Sequence, residues 1–466
     1  MTITSLFLYQ ESIKTVIHTI LLQHRIQLNP IPTTQAKQNL HQFIPVFKPK
    51  NNIKHVNPPE ITHKSLIEIA NTFGTPVYVY HAEAIIFQYK RLLMAFPDVK
   101  VKLHYALKAL NNVNILRLLK AEGAGLDAVS IQEVQLGLRA GFMPSQIMYT
   151  PNCVDFEEIK QAAALGVHVN IDNISILEHF GNEFGSSMPC CIRLNPHIMA
   201  GGHNHTSVGH IDSKFGISIY QIPHVLRIIS SLNIRVNGLH MHTGSDILDA
   251  GVFLQGADLL FDAARNFPDL EFMDFGSGFK VGYKPDDIVT DIEEIGKQIS
   301  LAFLAFCQEY GRDLELWFEP GKFIVSGAGS LLVKANVIKQ TTSTVFIGVD
   351  SGQNHLLRPM FYDAFHHIEN ISNPNGVCRL YSVVGYICET DTLGYDRKLP
   401  EAREGDIFSI KNTGAYGFSM SNNYNARLRP PEVLVLDGVA NLIRKRETME
   451  DLIRNEVWIE AIKEES

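Results

Sequence analysis

The sequence of 466 residues lacks the features that mark several large classes of protein. No block of basic residues is present, and 41 Lys and Arg against 49 Asp and Glu give a formal charge of -8, which argues against a nucleic-acid partner. No apolar run reaches the length of a membrane span. Six cysteines, at positions 153, 190, 191, 307, 378 and 388, form no Cys-x-x-Cys pair or metal-binding spacing. We therefore expect a protein of the reducing cytoplasm, with neither a nucleic-acid nor a membrane partner.

The sequence also has no internal repeat and no early G-x-G-x-x-G, so a doubly wound dinucleotide fold is disfavoured. Its composition, 45% hydrophobic and 19% charged, is typical of globular proteins. A chain of this length predicts two domains.

Residues 1–58 are set apart as an N-terminal extension. Apolar residues at helical spacing predict an amphipathic helix over residues 5–23, without the basic start and cleavage site of a signal peptide. Residues 29–60 are rich in Pro, Gln, Asn and Thr, as in a tether. We assign no function to this extension.

From about residue 100, short β-branched runs alternate with helical runs. Strands are predicted at 101–108, 125–129, 146–150, 168–172, 190–195, 236–242, 271–275 and 315–319. Helices are predicted between them, for example at 112–122, 131–140, 155–165, 249–266 and 286–310. Eight such alternations are typical of a (β/α)8 TIM barrel, which we assign to residues 81–320.

After Gly321 the pattern changes to strands with little helix. The strand-like runs are 331–339, 344–349, 380–387, 406–411 and 432–437, which predict a β-sandwich or small β-barrel. The segment 75–80 is expected to pair into this sheet. The second, C-terminal domain is therefore predicted to comprise residues 59–80 and 321–466 and to contribute to the active site.

Lys108 closes the first predicted barrel strand, at the edge where such barrels carry their chemistry. Apolar walls would desolvate its ammonium and lower its pKa, leaving a neutral amine able to hold an aldehyde cofactor as a Schiff base. Taken alone, a lysine whose stem lies along apolar surface is the commoner situation.

The other strand ends favour the cofactor site. Gly276-Ser277-Gly278 follows a late strand, where barrels commonly hold a phosphate, and Ser245 adds a hydroxyl. His242 is placed to lie against a planar ring, and Glu319 to keep a pyridine nitrogen protonated. Each has an ordinary alternative, such as a tight turn or a core histidine. The histidines of the Gly-rich loop 201–210 lack neighbouring carboxylates, so we expect no metal site.

Together these motifs resemble the fold-type III decarboxylases that use pyridoxal 5′-phosphate (PLP), most closely the diaminopimelate decarboxylases. The resemblance covers residues 60–440 and is carried by Tyr105-Ala-Leu-Lys108-Ala, His240-Met-His-Thr-Gly-Ser245, Asp274-Phe-Gly-Ser-Gly278, Glu319-Pro-Gly-Lys322, Cys388-Glu389 and Gly414-Ala-Tyr416. It implies a cofactor site of Lys108, Asp127, His242, Ser245, Gly276, Ser277, Gly278, Glu319 and Tyr416.

The resemblance also implies roles in catalysis. Lys108 would carry PLP, Cys388 would protonate the carbanion left by CO2, and Tyr416 would close over phosphate and substrate. The Cys388-Glu389 segment would reach into the neighbouring subunit's site, which implies a homodimer with shared active sites.

The substrate is expected to be an amino acid with a zwitterionic distal end. Arg358 lies in an apolar run and could clamp a distal carboxylate bidentately, while Glu389 could take a distal ammonium and Tyr362 add a hydroxyl. With Lys322 and Tyr416, these residues form the predicted substrate site. The expected reaction converts meso-2,6-diaminopimelate to L-lysine and CO2.

The sequence departs from the family pattern in three places, of which the first and the third bear on substrate choice. Lys322 stands where the family usually has arginine, Gly-Ser-Gly replaces Gly-Gly-Gly, and the motif from Cys388 to Asp391 is one residue tighter. The alternatives are decarboxylases of carboxynorspermidine, ornithine or lysine, an amino-acid racemase, and a non-catalytic binding relative. Arg358 with Glu389 disfavours the simple diamines, and intact Lys108, Glu319 and Cys388 disfavour a non-catalytic relative.

Overall fold

The structure is a computed structural model that describes residues 58–198, 213–248 and 250–459. The helix predicted at 5–23 and the histidine-containing loop 201–210 lie outside the described residues. Within those ranges, no helix combines the length and the apolar character needed to cross a membrane.

A closed barrel of eight parallel strands forms the first layer of the fold. Its strands are β2 (Val101–Ala106), β3 (Gly125–Ala128), β4 (Ile147–Tyr149), β5 (His168–Ile171), β6 (Pro189–Asn195), β8 (Arg235–Met241), β9 (Phe272–Asp274) and β10 (Glu315–Phe318), with a two-residue strand β7 (Ile217–Ser218) beside the end of β6. The order around the barrel is β5-β4-β3-β2-β10-β9-β8-β6, and pairing of β5 with β6 closes the ring. The predicted TIM barrel is confirmed, with all eight predicted strands.

Helices surround this barrel and follow its strands. They are α2 (Ala82–Met94), α3 (Val113–Ala121), α4 (Ile131–Arg139), α5 (Phe156–Ala164), α6 (Ile174–Phe184), α7 (Ile222–Leu232), α8 (Ala250–Ala264) and α9 (Ile292–Tyr310). Side-chain caps fix several starts, since Asn112, Ser130, Asp155, Asn173 and Asp291 each accept a hydrogen bond from a backbone N–H of the first turn. Strand ends and helix starts are thereby set at the same edge of the barrel.

One predicted strand end differs from the structure in a way that matters for the site. β2 stops at Ala106, and Leu107–Ala109 form a single 3₁₀ turn instead of continuing the strand. Lys108 therefore lies in this turn, just beyond the barrel wall.

A mixed sheet of nine strands forms the second layer and confirms the predicted β-rich domain. Its strands are β1 (Val77–His81), β11 (Gly329–Gln340), β12 (Val345–Val349), β13 (Ile368–Asn370), β14 (Cys378–Val384), β15 (Thr392–Pro400), β16 (Ile407–Lys411), β17 (Glu432–Leu436) and β18 (Val439–Arg444). Shorter helices accompany it: α1 (His63–Phe73), α10 (Lys322–Val325), α11 (Arg358–Tyr362) and α12 (Met449–Ile453).

The segment before the barrel belongs to this sheet, as the sequence predicts. β1 pairs antiparallel with β11 and parallel with β17. Leu66, Ile69 and Ala70 of α1 pack in one apolar cluster with Val77 and Val79 of β1. The chain thus enters the sheet first, builds the barrel, and returns to the sheet.

A buried carboxylate joins the sheet to the barrel. Glu432 of β17 is fully buried; its Oε1 accepts from the Tyr80 hydroxyl at 2.7 Å, and its Oε2 accepts from Asn112 Nδ2 at 2.9 Å and from Arg444. Because Asn112 caps α3 of the barrel, these bonds hold β1, β17 and the barrel in one arrangement.

Candidate active site

The carboxyl ends of the barrel strands bring titratable side chains together around Lys108. Its Nζ lies 3.5 Å from Asp127 Oδ2 at the end of β3, where Asp127 is 1% exposed and the lysine side chain is 46% exposed. The ends of the first two barrel strands therefore bring the Lys108 ammonium and the Asp127 carboxylate into contact.

The predicted fall in the pKa of Lys108 is wrong. Burial does push the pKa down, but the Asp127 carboxylate, then Tyr416 and Glu319, push it up by more, so the net shift is upward. Apolar walls alone would lower this pKa, but the carboxylate on the neighbouring strand outweighs them. Lys108 is therefore an ammonium at neutral pH in this arrangement.

The pKa of Asp127 is also raised, which favours its neutral form, whereas the raised pKa of Lys108 favours its charged form. Burial and the nearby Glu319 carboxylate raise the pKa of Asp127 to about 7, although Lys108 acts to lower it. Its second oxygen, Oδ1, is buried with no hydrogen-bond partner among the described residues. The carboxyl group thus has an acceptor available at the barrel mouth.

Glu319, at the end of β10, is the carboxylate that stays ionised. Its Oε2 lies 3.0 Å from His240 Nε2, and its Oε1 accepts from the Thr150 hydroxyl at 3.4 Å. Burial acts to raise the pKa of Glu319, but His240, Lys108 and Arg193 together lower it well below the usual range. The site therefore holds a desolvated anion.

The imidazole beside Glu319 is neutral. Burial lowers the pKa of His240 despite the neighbouring carboxylate. A neutral His240 donates its Nε2–H to Glu319, and its Nδ1 has no partner among the described residues. The sequence predicts His240 near a strand end but assigns it no role. Its separation of two residues from His242 along an extended segment was the available signal.

Two further residues of the site received no role from the sequence. Arg193 of β6 is buried and lies over the Phe215 ring at 4.8 Å. Asp274 of β9 is buried, and burial followed by Glu319 raises its pKa well above the ordinary value. His240, Asp274 and Glu319 offer nitrogen and oxygen atoms within 4.8 Å of one another, the one group of metal-ligand type found among the described residues.

The predicted phosphate loop closes against His242. The Ser277 N–H donates to His242 Nδ1 at 3.2 Å, and burial lowers the pKa of His242 to about 3, so the ring is neutral. Gly276 has φ +61, and a Cβ there would lie 2.6 Å from His242 Nδ1. A Cβ on Gly278, with φ +127, would collide with the Gly244 carbonyl. Only glycines fit these two positions.

The loops after β8 and β9 are joined to each other. The Ile247 N–H donates to the Gly278 carbonyl at 2.8 Å, which sets Ser245 beside the Gly276–Gly278 turn. Lys322 Nζ lies 2.5 Å from Oδ1 of Asp246, the residue after Ser245. Lys322, predicted for substrate, is therefore engaged with a carboxylate of the same chain.

Two residues of the β-rich domain reach this edge of the barrel. The Tyr416 N–H donates to the Ala109 carbonyl at 2.8 Å, beside Lys108, with Tyr416 at φ +57. The Arg358 guanidinium lies over the rings of Tyr283, Tyr362 and Tyr416, at 5.2, 5.8 and 6.0 Å. Arg358 Nε is buried without a hydrogen-bond partner among the described residues. Arg358 and Tyr362 thus lie together next to Tyr416.

Cys388 and Glu389 lie elsewhere on the same chain. Cys388 is an exposed free thiol, and its N–H donates to Asn425 Oδ1 at 2.9 Å. Glu389 accepts from Gln353 Nε2 at 2.5 Å and from the Tyr424 hydroxyl at 2.9 Å. None of these contacts reaches Lys108 or the glycine loop.

The loop that carries Cys388 is held by Asp391. The Asp391 carboxylate accepts from the Gln353 N–H at 2.6 Å and from the Ile387 N–H at 2.8 Å, so each oxygen has its own donor. Asp391 is buried and adopts φ +44. The tighter spacing of this motif is thus accommodated by a left-handed residue.

Known proteins are similar to this chain in sequence and in fold. The family described as "Pyridoxal-dependent decarboxylase, pyridoxal binding domain" matches residues 82–326. Diaminopimelate decarboxylase of Methanothermobacter thermautotrophicus is 39% identical over 400 residues, which cover 84% of this chain and 93% of the relative.

Solved structures agree with this relationship. Diaminopimelate decarboxylase from Helicobacter pylori, complexed with L-lysine, matches with a TM-score of 0.77 at 32% identity, over 84% of this chain and 98% of that one. Lysine/ornithine decarboxylase from Vibrio vulnificus, complexed with putrescine, matches with a TM-score of 0.70 at 25% identity, over 80% and 98% of the two chains. The chain therefore belongs to the diaminopimelate decarboxylase family of pyridoxal-dependent decarboxylases.

Proposed function

We propose that the protein decarboxylates meso-2,6-diaminopimelate to L-lysine and CO2 with PLP as cofactor, the last step of lysine biosynthesis. The observation that carries the proposal is the presence, at one barrel edge, of both Lys108 and the ionised Glu319 carboxylate, close enough for each to shift the pKa of the other. A desolvated anion backed by a neutral imidazole is a costly arrangement unless a cationic group meets it.

The residues at this edge fit PLP. A Cβ at Gly276 or Gly278 would collide with His242 or with the Gly244 carbonyl, so both positions keep the bare backbone that a phosphate can approach, and Ser245 stands beside this turn. His242 is held by the same turn through its Nδ1. When bound, PLP supplies the sink for the electrons released as the carboxylate leaves.

Each of the remaining groups has a task that its environment supports. Lys108 would hold the cofactor covalently, and Asp127 would accept the proton that the lysine must lose before it acts as a nucleophile. Glu319, kept anionic by His240 and Arg193, would keep the pyridine nitrogen protonated. Tyr416 would cover the phosphate and the substrate from the β-rich domain.

Substrate choice rests on Arg358. The tyrosine rings around its guanidinium are flat partners that leave its hydrogen-bond donors to a carboxylate, and its buried Nε has no hydrogen-bond partner among the described residues. Tyr362 would add a hydroxyl, and Glu389 would receive the distal ammonium. This pattern suits a substrate whose far end carries both charges.

We propose that the active protein is a homodimer with shared sites. Cys388, the proposed acid that protonates the carbanion, and Glu389 make no contact with the Lys108 cluster of their own chain, which supports action in the partner's site. Exposed apolar side chains of the same domain, such as Phe361 at 56% and Leu380 at 63%, suit such an interface.

Mixing two inactive variants tests the shared site. Equal amounts of Lys108→Ala and Cys388→Ala protein, exchanged at random, form hybrids in half of the dimers, each with one intact site. We expect recovery of about a quarter of wild-type activity. Mixtures that stay as inactive as their components would refute the shared site.

We also propose a cytoplasmic location and the division into residues 81–320 and residues 59–80 with 321–466. All six cysteines are free thiols, which supports a reducing compartment. The pairing of β1 with β11 and β17 supports grouping the entering segment with the β-rich domain.

A substrate panel tests the reaction itself. Purified protein with PLP is offered meso-diaminopimelate, carboxynorspermidine, ornithine and lysine separately, with Lys108→Ala protein as the matched control. We expect CO2 and lysine from the first substrate alone, and nothing from the control. Turnover of carboxynorspermidine, ornithine or lysine instead would refute the assigned substrate, and turnover by the control would refute the role of Lys108.

A further inference from the structure

The ion pair between Lys322 and Asp246 lies inside the site but has no task in the reaction as proposed. Lys322 Nζ is 2.5 Å from Asp246 Oδ1, and the two side chains are 14% and 33% exposed. Asp246 directly follows Ser245, a proposed phosphate ligand. A carboxylate at this position is unexpected, because it would repel the phosphate beside it.

The loop that carries Asp246 is anchored on its other side. The Ile247 N–H donates to the Gly278 carbonyl at 2.8 Å, and the Thr290 hydroxyl donates to the Ile247 carbonyl at 2.6 Å. Asp246 itself adopts φ +61, a left-handed conformation that aspartate tolerates better than most non-glycine residues. The ion pair with Lys322 is a further contact of this loop.

Lys322 is fixed in turn to the part of the site that carries Lys108 and Glu319. Lys322 begins α10 three residues after Glu319. The intervening Gly321 packs closely against the turn that carries Lys108, because a Cβ on Gly321 would lie 3.1 Å from the Ala109 Cβ. The Glu319 N–H also donates to the Gly276 carbonyl at 2.6 Å. The ion pair therefore connects the proposed phosphate loop to the strand end that faces the pyridine nitrogen.

The pairing also argues against Lys322 as a substrate clamp. A substrate carboxylate would have to displace the Asp246 carboxylate from a contact of 2.5 Å between side chains that are mostly shielded from water. Arg358 meets no such competitor among the described residues. The distal carboxylate of the substrate thus has a better partner elsewhere.

We propose that Lys322 is a positioning residue for the cofactor phosphate: it neutralises Asp246, so that the loop bearing Ser245 presents no unpaired carboxylate to the phosphate. The inference rests on the proposed function, because it requires a phosphate at this loop. It predicts an asymmetry between the two partners. Removing the ammonium leaves an unpaired carboxylate beside the phosphate, whereas removing the carboxylate leaves an ammonium that attracts it.

Binding of PLP and of pyridoxal, which lacks the phosphate, tests the proposal without using activity. The proteins are wild type, Lys322→Gln, Asp246→Asn and the double variant, each freed of cofactor and titrated by absorbance. We expect Lys322→Gln to weaken PLP binding about tenfold or more and to change pyridoxal binding by less than about twofold. Asp246→Asn should bind PLP at least as tightly as wild type, and the double variant should recover most of the loss.

The outcomes separate the possible roles of Lys322. Unchanged PLP affinity in Lys322→Gln, with a raised KM for diaminopimelate, would make Lys322 a substrate ligand and overturn the proposal. Equal weakening of PLP and pyridoxal, or no recovery in the double variant, would also overturn it. Thermal unfolding of each cofactor-free protein checks that it is folded.

Two further results keep the test decisive. If Lys322→Gln does not fold, Asp246→Asn alone decides: PLP affinity that is retained or increased, at constant pyridoxal affinity, supports the proposal, and weakening of both refutes it. If wild-type protein binds no PLP, the proposed function fails and this inference fails with it. A wild type that binds PLP while the variants behave alike overturns only the inference.

Discussion

Substituting Asp127 by asparagine should lower the pKa of Lys108. The two side chains are 3.5 Å apart, and unit charges at that distance interact by about 1 kcal/mol in bulk water and about 5 kcal/mol at an effective dielectric constant of 20. Because the lysine side chain is 46% exposed, solvent screens much of this attraction. We therefore expect a fall of about 1–2 pKa units, since one unit corresponds to about 1.4 kcal/mol.

Trace labelling measures this shift directly. Cofactor-free protein is acylated with a small amount of acetic anhydride at a series of pH values, and the Lys108 peptide is quantified by mass spectrometry. The inflection for Asp127→Asn should lie below that of wild type. Asp313→Asn, which removes a carboxylate from Lys100 at the surface, is the matched control and should leave Lys108 unchanged. An inflection of Asp127→Asn equal to or above that of wild type would refute the electrostatic account.

Three other predictions follow from buried polar groups. The folded-state pKa of Asp127, about 7, exceeds its unfolded value of about 3.9, so its proton stabilises the cofactor-free protein fully below pH 4, and this stability is lost as the pH rises through 7. The Tm of wild type, measured from pH 4.5 to 8, should therefore fall relative to that of Asp127→Asn. Parallel Tm profiles for the two proteins would contradict this. Tyr80→Phe leaves Glu432 Oε1 without its donor and should cost about 1.5–3 kcal/mol in the free energy of unfolding, with exposed Tyr395→Phe as a neutral control; equal unfolding curves would contradict the buried bond. Asp391→Asn puts an amide where both oxygens accept N–H bonds, so it should cost about 1–3 kcal/mol and reduce kcat by displacing the Cys388 loop; wild-type stability and kcat together would count against that anchoring role.

The barrel was predictable because its information is local. Each strand is a short β-branched run and each helix an apolar period, so all eight strands could be found from the chain alone. The exceptions lie in the mixed sheet, at strands whose local sequence pattern does not match their observed structure. β15 was missed because Gly394 and Asp396, the latter at φ +46, interrupt its pattern. β18 was missed because most of its side chains are exposed and show no alternation.

The site was predictable in its parts but not in its electrostatics. Strand ends collect at one edge of a barrel, so Lys108, His242 and Glu319 could be grouped before any geometry was known. The protonation states depend on pairs far apart in sequence: His240 meets Glu319 across 79 positions. Lys108 meets Asp127 across 19. Such pairs leave no periodic signal, which is why the pKa of Lys108 was predicted in the wrong direction.

The central claim is that Lys108 carries the cofactor. Protein loaded with PLP and reduced with borohydride fixes the cofactor to whichever lysine holds it, and peptide mass spectrometry then identifies that residue. We predict one pyridoxyl group per chain, on the peptide containing Lys108, and none on Lys322. A pyridoxyl group on another lysine, or on none, would contradict the account.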